Sequence, residues 1–196
     1  MELMKSSIKA IIGNIVSAEE FLDEESIDEF EDIIIESSNV FVTGAGRSGL
    51  AAKAFAMRLM HLGVSAYVVG ETISPAINAD DCIIAISGSG ETNTIVSAAK
   101  IAKSRGSKVL TVTSYPDSTL GQLADACILV KGRTKKEVDD ENYMKRQIHG
   151  NYTSLTPLGT AFELTTLVFL DAIVSELMEK MHQTESDLKA RHTVLE

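Results

Sequence analysis

Three hydroxyl side chains, Ser87, Ser89 and Thr92, fall within one short stretch and are separated by Gly88, Gly90 and Glu91. Residue types of this kind, at this spacing, suit a phosphate. Glycine lets the backbone come close, the hydroxyls donate, and a helix starting beyond the loop offers free N–H groups and partial positive charge. The apolar run Cys82–Ile86 precedes the stretch and a helical pattern begins near Thr92. Strand, hydroxyl loop and helix together predict an anion pocket, with the backbone amides of Gly88, Ser89, Gly90, Glu91 and Thr92 as further donors. A carboxylate beside a phosphate dianion is repulsive. Glu91 is therefore expected to turn away, toward a backbone N–H or a neighbouring subunit.

A second glycine loop, Gly44-Ala45-Gly46-Arg47-Ser48-Gly49, follows the apolar run Asn39–Thr43. It fits the G-x-G-x-x-G pattern of dinucleotide sites, and Glu71 lies about 20 residues on, where a ribose-binding acid belongs. Two features weigh against a nicotinamide cofactor. Glu71 comes after Gly70, past the strand end, and Arg47 and Ser48 suit a compact anion better than a pyrophosphate lying over bare backbone. A dinucleotide fold also has no need of the second hydroxyl loop. Two such loops on one sheet edge favour a single small phosphorylated ligand. No G-K-[ST] follows the glycines, so a Walker A nucleotide site is not expected.

The remaining candidate is Glu163. Leu167, Leu170 and Val174 follow it at helical spacing, which puts a carboxylate on an apolar stripe. That setting suits a general base; the alternative is a buried acid paired with a cation across an interface. Among the histidines, His61 ends a helix, His149 lies in a polar loop, and His182 and His192 belong to the C-terminal segment. None has a ligand-like partner in the sequence, and no metal site is expected. Cys82 and Cys127 each sit in an apolar run and read as core thiols.

The elements that must hold these residues alternate. Strands are predicted at 39–43, 66–69, 82–86, 108–113 and 126–130, with helices after the glycine loop to about Leu62, from about Thr92 to Ser104, and around Leu120–Ala124. This order predicts an α/β protein: a parallel sheet with helices on both faces and ligands beyond the carboxyl ends of its strands. Two helices precede it, Glu2 to about Leu22 and Ile27 to about Glu36, the second with Ser26 as N-cap. Residues 1–37 thus form a helical lead, 38–130 the core, 131–156 a polar loop, 157–182 a long helix and 183–196 a polar tail. The long helix opens at Thr156-Pro157 as N-cap and N1. It is apolar around most of its circumference, which suggests a subunit interface.

One domain accounts for the 196 residues. A net charge of −10 excludes broad binding to nucleic acid or anionic membranes, so the phosphate site is local. No apolar run reaches the ~20 residues of a spanning helix, and no secretory h-region opens the chain; a cytoplasmic protein is expected.

Taken together, Gly44–Gly49 running into Leu50-Ala51-Ala52-Lys53, the S-x-S-G-E-T loop and Pro157-Leu158-Gly159-Thr160-Ala161-Phe162-Glu163 resemble the sugar isomerase (SIS) family. The short length and the ending Arg191-His192-Thr193-Val194-Leu195-Glu196 resemble its members in formaldehyde-fixing metabolism. That family often has alanine where Thr193 stands. The resemblance implies a flavodoxin-like three-layer α/β/α sandwich on a five-stranded parallel sheet, assembled as a homotetramer. It implies interconversion of D-arabino-3-hexulose 6-phosphate and fructose 6-phosphate through a cis-enediol(ate), without a cofactor, and coupling to a hexulose-phosphate synthase. Ser87, Ser89 and Thr92 would hold the phosphate, Arg47 and Ser48 would contact the substrate, and Glu163 would be the base. His192, ahead of His182, would assist ring opening or polarise the carbonyl, from across a subunit boundary. Rival readings are another aldose–ketose isomerase of the same fold and a non-catalytic sugar-phosphate sensor.

Overall fold

A computed structural model describes residues 1–132, 157 and 159–194. The strands β1 (Val40–Gly44), β2 (Ala66–Val68), β3 (Cys82–Ile86), β4 (Lys108–Thr113) and β5 (Ala126–Leu129) form one sheet. Its order is β2-β1-β3-β4-β5, and every neighbouring pair is parallel. Parallel neighbours need crossovers, and these are supplied by α3 (Arg47–Leu62), α4 (Asn93–Ser104) and α5 (Thr119–Leu123). Ahead of the sheet lie α1 (Glu2–Ala18) and α2 (Glu24–Glu36), and after it α6 (Thr160–Lys180) and α7 (Glu185–Ala190).

Side-chain alternation along the strands divides the core in two. Val40, Val42, Ile84, Ile86, Leu110 and Val112 point to one face, where Phe30 and Ile34 of α2, Phe55 and Leu59 of α3, and Leu170 and Leu177 of α6 cover them. Phe41, Ile83, Ala85 and Val109 point to the other, under Ile95, Val96 and Ala99 of α4 and Leu120 of α5. A sheet buried on both faces explains why its strands read as continuous apolar runs. The expected three-layer sandwich is thus realised. The two cysteines are free; Cys82 lies in the core as expected whereas Cys127 is only half-buried, and burial pushes the Cys82 thiol up to about 12 and the Cys127 thiol up to about 11.

Element ends differ from expectation where local chemistry intervenes. Asp23, not Ser26, caps α2, because its carboxylate accepts from the Ser26 amide at 3.1 Å and from the Ser26 hydroxyl. The first helix stops at Ala18 and passes into a 3₁₀ turn over Glu19–Phe21. The long helix starts at Thr160 rather than at Pro157: Gly159, with φ of 86°, is its N-cap, and the Pro157 carbonyl accepts from the Thr160 amide. Thr156 and Leu158, and the polar loop apart from Lys131, Gly132 and the 157 position beyond it, lie outside the described residues, as does His149. The tail is not featureless. Thr184 and Asp187 close a capping box that opens α7, a signal that the tail's polar composition masks.

Candidate active site

The sheet order places β1 beside β3 with Gly44 opposite Ile86. The Gly44–Gly49 and Ser87–Thr92 loops therefore leave the same sheet edge side by side. This is the point at which the chain, having built β2 on one side of β1, turns to build β3 on the other. Open α/β sheets bind ligands at such a switch point.

In the first loop the glycines are there for close approach. A Cβ on Gly44 would stand 2.7 Å from the Ser48 backbone, and one on Gly49 would stand 2.6 Å from the Gly44 carbonyl oxygen. The strand can thus turn directly into α3, which begins at Arg47, with Ser48 buried in its first turn. Gly46 caps that helix at a φ of 58° and offers no side chain, so the helix start is open to an anion.

The second loop is held more firmly. The Ser87 amide donates to Val112 of β4, the Gly90 amide to the Ser87 carbonyl, and the Ser114 amide to the Gly88 carbonyl. Ser87 Oγ and Thr92 Oγ1 lie 3.0 Å apart across the turn. Because Thr92 Oγ1 is engaged there, Thr92 does not cap α4 with its own side chain. Neither α3 nor α4, the helices that follow the two loops, carries a side-chain cap at its start.

Glu91 turns away, as charge repulsion demands. Its Oε1 accepts from the Thr119 amide and its Oε2 from the Thr119 hydroxyl, both at 2.8 Å. Ser114, Ser118 and Thr119, which brace the loop from the β4–α5 connection, do not stand out in the sequence. Their only sequence signal is a run of hydroxyls after an apolar strand.

Glu163 sits in the first turn of α6, and Arg47 Nε donates to its Oε2 at 3.0 Å. The carboxylate that spacing sets on an apolar stripe thus has a cation partner, contributed by the glycine loop. Gly159 makes room for it, since a Cβ there would stand 2.6 Å from Glu163 Oε1. The Glu163 side chain is mostly covered and that of Arg47 mostly exposed, 18% against 56%. An ion pair of such exposure contributes about 1 kcal/mol or less, so an arriving phosphate can draw Arg47 aside at little cost. Three sequence-distant segments therefore meet at one edge, bearing hydroxyl and amide donors, a movable guanidinium and a carboxylate. That arrangement can seat a phosphorylated molecule and take a proton from it.

His192 is not brought to this edge by its own chain. Its ring stacks on that of His61 with centroids 5.0 Å apart, and Arg191 Nη1 donates to the His61 carbonyl at 3.0 Å. His61 lies in the last turn of α3, whereas Arg47 opens it. A helix of this length spans about 24 Å at ~1.5 Å per residue. His182 follows the C-terminal end of α6, away from Glu163 in its first turn. The acid considered for a ribose, Glu71, is paired with Lys53 at 2.6 Å on the surface, and that ammonium holds its carboxyl below the usual range.

Residues 33–143 match the SIS domain. The chain belongs to the SIS domain family. Within that family it is 37% identical to the 3-hexulose-6-phosphate isomerase of Bacillus subtilis over 189 residues, covering 96% of this chain and 98% of that one. With the 3-hexulose-6-phosphate isomerase of Methylomonas aminofaciens it shares 35% over 195 residues, covering 100% and 97%. A crystal structure from Methanococcus jannaschii, from which a function as 3-hexulose-6-phosphate isomerase was inferred, superposes with a TM-score of 0.80 at 32% identity, covering 97% and 99%. The SIS assignment, the five-stranded parallel sheet and the full-length correspondence agree with one another.

Proposed function

We propose that this chain interconverts D-arabino-3-hexulose 6-phosphate and fructose 6-phosphate. The observation that carries the reading is the Glu163–Arg47 pair at the β1 and β3 edge, beside the hydroxyl loop, in a chain with full-length relatives named for this isomerisation. A sensor of sugar phosphates needs the loop but has no use for a base; an isomerase needs both.

In this reading Ser87, Ser89 and Thr92, the amides from Gly88 through Thr92, and the open start of α4 bind the phosphate. Arg47 and Ser48 contact the substrate. The Glu163 carboxylate removes the proton from C2 of the 3-keto sugar, and the electron pair moves into the C3 carbonyl to give a cis-enediol(ate). The same carboxyl returns the proton to C3, while the O2 proton passes to O3, leaving a C2 ketone. A 3-keto 6-phosphate has no free hydroxyl placed to close a five- or six-membered ring, so no ring-opening group is required in this direction. Cyclic fructose 6-phosphate in the reverse direction does call for one. His192 can supply it only to a neighbouring subunit.

The proposal extends to a homotetramer in the cytoplasm, fed by a hexulose-phosphate synthase. Support for assembly comes from α1, which leaves Leu3, Met4, Ile8, Ile12 and Val16 largely exposed. The test is an isomerase assay across phosphorylated 3-hexulose, hexose, pentose and heptose substrates. The 3-hexulose is expected to be turned over at least tenfold more efficiently than the others. Preference for a pentose or heptose phosphate moves the chain to another isomerase of this fold, and binding without turnover makes it a sensor.

A further inference from the structure

The two oxygens of Glu91 accept the amide and the hydroxyl of a single residue, Thr119, which opens α5. Around this contact the phosphate-loop backbone is fastened to the β4–α5 connection repeatedly. The Leu120 amide donates to the Gly90 carbonyl at 3.0 Å and the Ser114 amide to the Gly88 carbonyl at 3.1 Å. Gly90 has a φ of 65°, and a Cβ there would stand 1.8 Å from Ser118 Oγ, so the loop lies directly on Ser118. Glu91 itself is exposed, and the loop it belongs to carries Ser87, Ser89 and Thr92.

From this geometry we infer that Glu91 is a positioning residue: by clamping Thr119, it fixes the hydroxyl loop in the shape that receives the phosphate. The inference rests on the reading of that loop as the phosphate site. A carboxylate accepts without donating, so both its oxygens can serve the Thr119 amide and hydroxyl. The same engagement turns its charge away from the incoming dianion. The most conspicuous acid of the motif thus acts on the substrate through the backbone of its own loop. Ordering the loop beforehand removes an entropy cost from binding rather than from chemistry. Its loss is therefore expected in KM and in phosphate affinity, with kcat nearly unchanged.

The experiment compares Glu91→Ala, Glu91→Gln and Thr119→Val in the full chain, each checked for native melting behaviour. For each, KM and kcat are measured together with competitive inhibition by inorganic phosphate. Two charge-assisted contacts are removed in Glu91→Ala, and KM and the phosphate inhibition constant are expected to rise together about tenfold, kcat staying within about threefold. Gln retains an acceptor for the Thr119 amide, and the threonine hydroxyl can reverse its bond, so Glu91→Gln is expected to recover most of the loss. Thr119→Val, which touches no part of the loop's hydroxyl set, is expected to raise the same two constants several-fold. The double variant with Glu91→Ala should add little to the single one. Tighter phosphate binding in both Glu91 variants would mean that the carboxylate faces the phosphate, and overturns the inference. An equal loss in Gln and Ala, or a loss in kcat alone, overturns it as well. If phosphate fails to inhibit the unmodified chain while it isomerises sugar phosphates, the phosphate-site reading is what fails.

Discussion

Glu163 and Arg47 show how a residue's chemistry depends on what folding brings beside it. Spacing alone leaves Glu163 either a general base or a buried acid awaiting a cation, and the fold supplies the cation from 116 residues away in the glycine loop. The pair is compatible with the base role because the carboxylate is covered while its partner is exposed and free to move toward a phosphate. Glu163→Gln keeps the size and an acceptor but cannot take a proton. Its kcat is expected to drop by about 10²- to 10⁴-fold with substrate binding retained, as steady-state kinetics and equilibrium binding would report. Turnover within threefold of the unmodified chain would remove Glu163 from the base role. His61 makes a separate prediction. Burial, and the nearby His192 and Arg58, hold its imidazole below the ordinary 6.5. Between 6.5 and that lower value the unfolded chain binds more protons than the folded one, so stability is complete above this window and declines as pH falls through it. Melting temperature should therefore fall between pH 7 and 5 more steeply for the unmodified chain than for His61→Phe, in which the titrating group is gone.

At the level of elements, α2 and α6 are joined by an ion cluster that no periodicity foretells. Lys180, in the last turn of α6, donates to Asp28 at 2.9 Å and Asp32 at 3.1 Å and pairs with the buried Glu31 at 3.0 Å. Desolvation raises the Glu31 carboxyl and the Lys180 contacts oppose that rise. Lys180→Ala would leave Glu31 buried without that ammonium, and the expected loss is about 3 kcal/mol by denaturant unfolding near neutral pH. The sign of its pH dependence follows. With Lys180 gone, the Glu31 pKa in the folded chain rises further above the unfolded value, so the variant regains stability as the pH is lowered and the carboxyl protonates. A loss that does not vary between pH 7 and 5 would mean that Glu31 is not its source. Strand boundaries were most legible in β3 and β4, which match their apolar runs residue for residue, while β1 lies one residue further along than its predicted run. Helix ends were less so, since a cap is decided by which side chain reaches the first amides. Asp23 and Gly159 take that place in α2 and α6.

For the whole molecule, the unmatched feature is α1. It buries no residue within the chain, yet its apolar side chains repeat along one exposed stripe. Single exposed hydrophobics are ordinary, but a contiguous helical stripe is the mark of a surface that another chain covers. Ile8→Asp and Ile12→Asp lie on that stripe, at positions half-exposed in the chain itself. Each is expected to leave the melting of the sheet core intact while shifting the sedimentation of the protein to a smaller species. Unchanged sedimentation would direct the search for an interface elsewhere, first to the exposed Val168 on α6. The C-terminal segment belongs to this scale too. Arg191 and the His61–His192 stack dock it on the end of α3, so any contribution of His192 to catalysis is a property of an assembly rather than of one chain.

The sequence by itself determined the layer order, the two loops and the family. Apolar runs, glycine spacing and hydroxyl clusters are local patterns, and a buried parallel sheet leaves little freedom in how they are arranged. Only the tertiary structure decided which polar side chains meet: Arg47 with Glu163, Glu91 with Thr119, Lys180 with Glu31, His192 with His61 rather than with the site. Such partners are separated by tens to more than a hundred residues, and their meeting depends on strand order and helix packing. A charge in a sequence states what it can do, and its neighbour in space selects which of those things it does.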